Sequence, residues 1–226
     1  MAFGVDSDFW AFADTAGAIL LQSSTLTPVK TVADCIDSNG DVSAATVYDS
    51  FIEYSATYKS CSDTALVFVD TGITFQLGTV ISSKVITGID VTTSNTDRPE
   101  ITISGRTCTI ADSLVHKYDM SDLEIAGVRK ATPIGVTADT DVAVTGSTAS
   151  ATVSTAVVLD SDGAFACMDV YGGRVEATTD LAGCGADPGA AADTGWTISG
   201  GPSDAQENTG YSTGSITVFK NISQDT

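Results

Sequence analysis

Basic residues are scarce in this chain: 10 Lys and Arg stand against 29 Asp and Glu in 226 residues, a formal charge of −19 at pH 7. The acids are spread over both halves and do not gather into a tail. That balance opposes nucleic-acid binding, which needs basic patches to neutralise phosphates. It equally opposes attraction to an anionic membrane. No run approaches the ~18 apolar residues of a spanning helix. There is one histidine, His116, so the usual general base and metal ligand is nearly absent. A Ser-His-Asp site would have to use it, yet no GxSxG elbow marks a nucleophile. No GxGxxG and no GK[ST] follows any glycine-rich loop, so no nucleotide site is indicated. The 5 cysteines, Cys35, Cys61, Cys108, Cys167 and Cys184, include no CxxC pair and match no zinc spacing. No catalytic residue, metal or cofactor is expected, and the thiols read as inert.

Leu, Glu, Lys and Arg, which fill helices, are few, and Pro is only 5. What remains is rich in Thr, Val, Ile, Ser and Gly, the residues of strands and turns. The clearest stretch is Val85–Gly105, VITGIDVTTSNTDRPEITISG. Val85, Thr87, Ile89 and Val91 share one parity, and Ile101 with Ile103 another beyond the Ser94–Pro99 connection. Period-two patterning on both sides of a polar link predicts two half-buried strands. Val47–Lys59 predicts a long strand with Tyr48, Ile52, Tyr54, Ala56 and Tyr58 on one face. Shorter strands are expected at Ala65–Val69 and Ile73–Val80. Thr148–Leu159 and Ala164–Thr178 alternate about the hairpin dipeptide Asp162-Gly163. Trp196–Ser199 and Ser215–Lys220 close the chain, with Gly200–Gly214 a polar loop between them. Glu124–Ile134 is ambiguous, and Gly183–Thr194 reads as a small-residue loop. Ala111–Tyr118, ADSLVHKY, is the best helix candidate, capped by Asp112 or Ser113. The fold class is therefore all-β, a sandwich or barrel with one short flanking helix, and 1–226 reads as a single domain.

Some motifs imitate chemistry. Asp37–Asp41, DSNGD, resembles a calcium loop, but Val42 stands where the sharp-turn Gly belongs and Tyr48 where the bidentate Glu belongs. It reads as a turn, because Asn39-Gly40 favours left-handed backbone angles. Asp139/Asp141 and Asp160/Asp162 could serve as paired carboxylates for glycoside hydrolysis, but such pairs arise freely in an acid-rich, turn-rich chain. Trp196 suits core burial better than sugar stacking.

Phe3, Phe9, Trp10 and Phe12 are dense for a chain with 7% aromatic content. Rings of this size must be buried somewhere. They either pack on their own domain or form an assembly arm, residues 1–15, that docks on a neighbouring subunit. The opening MAFGVDSDFWAF carries acids where a signal peptide carries positive charge, so synthesis in a cytoplasm, without disulfides, is expected.

Val85–Gly105 resembles the strand–connection–strand of tailed-phage major tail tube proteins: Ile86-Thr87-Gly88-Ile89-Asp90-Val91, then Ser94-Asn95-Thr96-Asp97, then Pro99-Glu100-Ile101-Thr102-Ile103-Ser104-Gly105. Asp37–Asp41 leading into Glu53-Tyr54-Ser55 and Tyr58, and the ending Tyr211–Asn221, YSTGSITVFKN, are similar to parts of such virion proteins. Together these cover about a third of the chain. The resemblance implies a virion structural protein, not an enzyme, made in the host cytoplasm and built into the phage tail. It implies homohexameric rings stacked into a tube, contacts with other tail proteins, an acidic lumen through which DNA passes without specific binding, and no membrane partner. A capsid decoration or head–tail joining protein, and a non-viral adhesin or carbohydrate-binding sandwich, are the alternatives left open.

Overall fold

The structure, a computed structural model, describes residues 19–60, 66–67, 76–81, 83–108, 116–120, 123–184, 190–201, 205–206 and 211–224. The described strands in chain order are β1 (Ile19–Ile36), β2 (Val42–Ser60), β3 (Leu66–Val67), β4 (Val80–Ile81), β5 (Lys84–Ser94), β6 (Glu100–Thr107) and β7 (Glu124–Ile125). They continue as β8 (Val136–Ala138), β9 (Val142–Leu159), β10 (Phe165–Cys184), β11 (Ala190–Ala192), β12 (Thr197–Gly200), β13 (Ala205–Gln206) and β14 (Tyr211–Asn221).

The protein is all-β. One 10-stranded antiparallel sheet runs in the order β1-β2-β6-β5-β9-β10-β14-β12, with β4 and β13 pairing β5 and β14. The register explains why the alternating segments read so clearly. Leu21, Tyr58, Ile101, Val91, Ala149, Ala177 and Val218 lie directly opposite one another in successive strands. Ala56, Ile103, Ile89, Ala151 and Val175 form the next row on the same face. Both rows are buried apart from the edge residue Leu21. Every second residue between them faces away, giving rows such as Thr57, Thr102, Asp90, Ser150 and Glu176. This is the apolar-in, polar-out alternation of an antiparallel sheet with one covered face.

The covering layer is irregular. Leu77, Tyr118, Met120, Leu123, Ile125, Ile134 and Val136 complete the core from connecting segments and from the small β8–β11 and β3–β7 pairs. Small side chains at Ala149, Ala151 and Ala177 on the sheet share one buried cluster with the large ones of this layer. Polar groups fix it in place. The Thr93 and Ser147 hydroxyls share a hydrogen bond (2.9 Å), Ser147 donates to Thr132 O (2.5 Å), and Thr132 N–H donates to Thr93 Oγ1 (3.1 Å). Asn95 accepts from Ala131 N–H and donates to Val144 O. Ser60 donates to Gly127 O (2.8 Å). Tyr118 donates to Val170 O (3.1 Å), its ring lying against Gly173.

Several expectations need correction. Gln76–Thr79, read as part of a strand, is a turn with Gly78 at φ +78. Residues 111–115 of the expected helix lie outside the described residues. The rest of it, His116–Tyr118, is not helical, and Tyr118 bridges to Gln224. No helix is present among the described residues. Gly183–Thr194 is part strand, through the end of β10 and through β11.

Two bulges upset the parity read from sequence. In β5 the register shifts between Ile86 and Gly88, so Thr87 is the extra residue and Ile86, not Thr87, joins Ile89 and Val91 in the core row. In β2, Asp49 has φ +46, and the pairing passes from Thr31↔Tyr48 to Val29↔Phe51. Two residues there oppose one, which exchanges the faces of the strand. Tyr48 therefore shares a face with Phe51, not with Ile52 and Tyr54.

Candidate assembly surfaces

Phe3, Phe9, Trp10 and Phe12, the side chains expected to mediate assembly, lie outside the described residues. Other surfaces of the fold carry features that sequence reading did not isolate.

The first is the β1 edge, an 18-residue strand with one neighbour among the described residues. Ile52 N–H donates to Thr107 Oγ1 (3.0 Å), away from β1. Pro28 sits opposite Ile52, so its own backbone faces the open edge, where the ring removes a donor. Pro28 and the nearby Lys30 are residues that blunt indiscriminate strand addition. Leu20 and Leu26 remain 49% and 46% exposed on this strand.

The second is the far half of the β1–β2 hairpin. β2 pairs β6 only from Glu53 to Lys59, so residues 29–51 extend past the sheet. Arg106 holds the joint: its guanidinium lies 3.5 Å from the Phe51 ring centroid and 3.1 Å from Asp49 Oδ1. Beside this joint a cleft of about 440 Å³ opens across β1, β2, β6, β5 and β9, lined by Thr25, Thr27, Phe51, Glu53, Arg106 and Thr155 among others.

The third is the connection Ser94–Pro99. Lys59 Nζ lies 2.5 Å from Asp97 Oδ2. This hydrogen bond, followed by one from Arg98 N–H, holds the Asp97 carboxyl below the usual carboxylate range. The same contact with Asp97 raises Lys59 above its ordinary value. Burial lowers Lys84 at the start of β5. It raises the Tyr54 and Tyr58 phenols far above theirs, so both stay protonated.

The residues weighed for chemistry are apart. His116 is exposed in an irregular segment. Asp160 accepts from Asp162 N–H and Ala164 N–H, which shapes the β9–β10 turn. Asp37 does the same for Asn39 and Asp41. Asp139 and Asp141 are exposed at the turn into β9. Gly135 packs against the Trp196 indole so closely that a Cβ would overlap it, and the partly buried ring joins the core margin. Cys35 is an exposed free thiol and Cys167 an intermediate one, while Cys108 is buried. Among the described residues no group of three or more His, Cys, Asp or Glu side chains comes together as a metal site. No helix among them is long and apolar enough to cross a membrane.

No protein-family model matches the chain, and no curated protein matches its sequence.

Proposed function

We propose that this chain is a structural subunit of a virion, specifically a tail tube protein that assembles into hexameric rings stacked around an acidic lumen. The observation that supports the reading is an antiparallel sheet whose first described strand offers an 18-residue edge left unpaired on its outer side among the described residues. Strand addition at such an edge is heterologous, one surface meeting a different one, and closes into a ring when the rotation per copy allows. The likeness of Val85–Gly105 to tail tube proteins adds the expected setting: a phage tail, other tail proteins as neighbours, and production in the host cytoplasm. The role is non-catalytic, without metal or cofactor.

The charge of −19 gives the conduit its physics. A wall of net negative potential repels phosphates within a Debye length, about 8 Å at physiological salt, so DNA passes without adhering. Negative-stain microscopy and sedimentation of the purified chain test the reading. Six-fold rings or tubes are expected, with no retardation of DNA in a low-salt gel. A chain that stays monomeric at every concentration, or that shifts DNA, overturns it.

A further inference from the structure

We propose that Asn39 is a site of spontaneous modification, its side-chain amide closing on the Gly40 nitrogen to leave an aspartyl or β-linked isoaspartyl residue. This chemistry belongs to the β1–β2 turn itself and is independent of assembly.

The fold contains the same turn twice. Asp37-Ser38-Asn39-Gly40-Asp41 joins β1 to β2, and Asp160-Ser161-Asp162-Gly163-Ala164 joins β9 to β10. Asp37 Oδ1 accepts from Asn39 N–H (2.8 Å) and Asp41 N–H (3.0 Å). Asp160 Oδ1 accepts from Asp162 N–H and Ala164 N–H, both at 2.9 Å. In each turn the glycine N–H donates to the carbonyl of the first aspartate at 3.1 Å. Asp37 N–H donates to Asp41 O, and Asp160 N–H to Ala164 O, both at 2.8 Å. The glycines stand at φ +87 and +76. An aspartate that bonds the backbone two residues on builds such a turn, and glycine takes the left-handed angle at little cost.

The surroundings of the two turns differ. Gly163 O accepts from Asp49 N–H (3.3 Å), and a Cβ on Gly163 would stand 3.1 Å from Tyr48 Cβ. Nothing lies within 4 Å of a Cβ on Gly40, and residues 37–41 are all exposed. Among the described residues the first turn is held by its own hydrogen bonds alone. Such a segment opens locally at small cost.

Opening releases Gly40 N–H from Asp37 O. The nitrogen then attacks Asn39 Cγ. A bond forms between Gly40 N and Asn39 Cγ, and the Cγ–Nδ2 bond breaks. The Gly40 proton passes through water to Nδ2, which departs as ammonia. Water next opens the five-membered imide. Opening at Cγ gives aspartate, and opening at the main-chain carbonyl of residue 39 gives the β-linked isomer. Water is the sole co-reactant.

Asparagine is a thermolabile residue, and the conditions for this step meet at Asn39. It is the one asparagine in the chain followed by glycine, so no Cβ shields the attacking nitrogen. Its backbone N–H is bonded to Asp37, while its side-chain amide bonds to none of the described residues. Asn95 is instead clamped, accepting from Ala131 N–H (3.0 Å) and donating to Val144 O (2.8 Å), and Thr96 follows it. Asn221 is paired with Arg174 in β14, and the next nitrogen, that of Ile222, donates to Gly173 O (2.9 Å).

The second turn displays the simpler product. Asp162 stands where Asn39 stands, and the same hydrogen bonds form around it, so an aspartate at 39 fits the turn. The β-linked isomer adds a backbone atom inside the loop closed by Asp37 N–H and Asp41 O, and that closure is lost. Either product adds one negative charge beside Asp37 and Asp41.

Ageing the full-length chain for several days in warm, mildly alkaline buffer tests this, read by mass mapping of tryptic peptides. Residues 31–59 hold Asn39 and no other asparagine, and should gain the mass of an amide-to-acid exchange. Conversion there should exceed that at Asn95 or Asn221 by at least about tenfold, which is about 1.4 kcal/mol in barrier. Isoaspartyl methyltransferase with labelled S-adenosylmethionine should mark the same peptide. Asn39→Gln should abolish both signals, because its longer side chain would have to close a six-membered ring. Asn39→Asp should keep the CD spectrum and urea midpoint of the parent. Conversion at Asn39 no greater than at Asn95 or Asn221, or labelling of residues 31–59 that survives Asn39→Gln, overturns the inference. A lower urea midpoint for Asn39→Asp overturns the fit of aspartate to this turn.

Discussion

Gly105→Ala sets two effects of opposite sign against each other. Alanine costs less backbone entropy than glycine in a strand, a gain of about 0.5–1 kcal/mol. Against that, a Cβ on Gly105 would stand 1.9 Å from Val85 O and 2.5 Å from Tyr54 Oη. Those two atoms share a 2.8 Å hydrogen bond inside the sheet, and Tyr54 is 3% exposed. Either β5 shifts or the ring turns, and both break that bond where water cannot replace it. The lost bond costs about 1–3 kcal/mol, and overpacking adds about 1–3 kcal/mol. Sterics therefore outweigh propensity, and a net destabilisation of about 1–5 kcal/mol is expected. For a domain of this size that lowers Tm by roughly 2–4 °C per kcal/mol. Gly201→Ala is the control, since nothing lies within 4 Å of a Cβ there, and a surface change of this kind stays within about 0.5 kcal/mol. Thermal and urea melts followed by CD measure both. A Gly105→Ala chain that melts at or above the parent would refute the packing of Gly105 beneath Tyr54.

Tyr118→Phe removes a buried donor to Val170 O and an acceptor of Gln224 Nε2 (3.3 Å); a loss of about 1–2 kcal/mol in urea unfolding is expected, and an unchanged midpoint contradicts it. Lys59→Met should raise the Asp97 pKa, read from its carboxyl carbon by NMR titration. Because the folded-state pKa of Asp97 is depressed, its contribution to stability is present above the ordinary carboxylate range and lost as pH falls through the folded value. The variant should accordingly show a shallower acid limb, and an identical limb rules out the pairing in solution. Deleting residues 1–12 should leave a folded chain that assembles poorly; if the deletion unfolds the protein, Phe3, Phe9, Trp10 and Phe12 belong to its own core.

The sheet was legible wherever one face is buried and the other wet. Tyr54, Ala56 and Tyr58, or Ile101 and Ile103, alternate because core and solvent alternate, and nothing interrupts them. Bulges were not legible. No glycine marks Asp49, whose left-handed φ is accommodated with its carboxylate on Arg106, and Thr87 looks like any strand residue. The covering layer was hidden for another reason: it is held by single hydrogen bonds from Asn95, Ser147 and Ser60, which leave no periodicity. β1 escaped notice because most of its residues are exposed, so hydrophobic alternation has nothing to report there. The expected assembly residues were chosen for aromatic density alone. Val32, Ile36, Val42 and Val47, exposed on the far half of the β1–β2 hairpin, had a usable signal in the β-branched residues that flank the Asn39-Gly40 turn.

The bulge at Asp49 bears on how such a chain can change over time. On the near side of it, Tyr54, Ala56 and Tyr58 answer to the core, and a substitution at them is felt across the sheet. On the far side the faces are exchanged and the residues answer to whatever they touch outside. Arg106, clamped between Phe51 and Asp49, marks the border. Substitutions beyond that border can accumulate in step with a partner surface while the body of the protein stays fixed. The hairpin can thus acquire a new fit without the sheet having to be solved again.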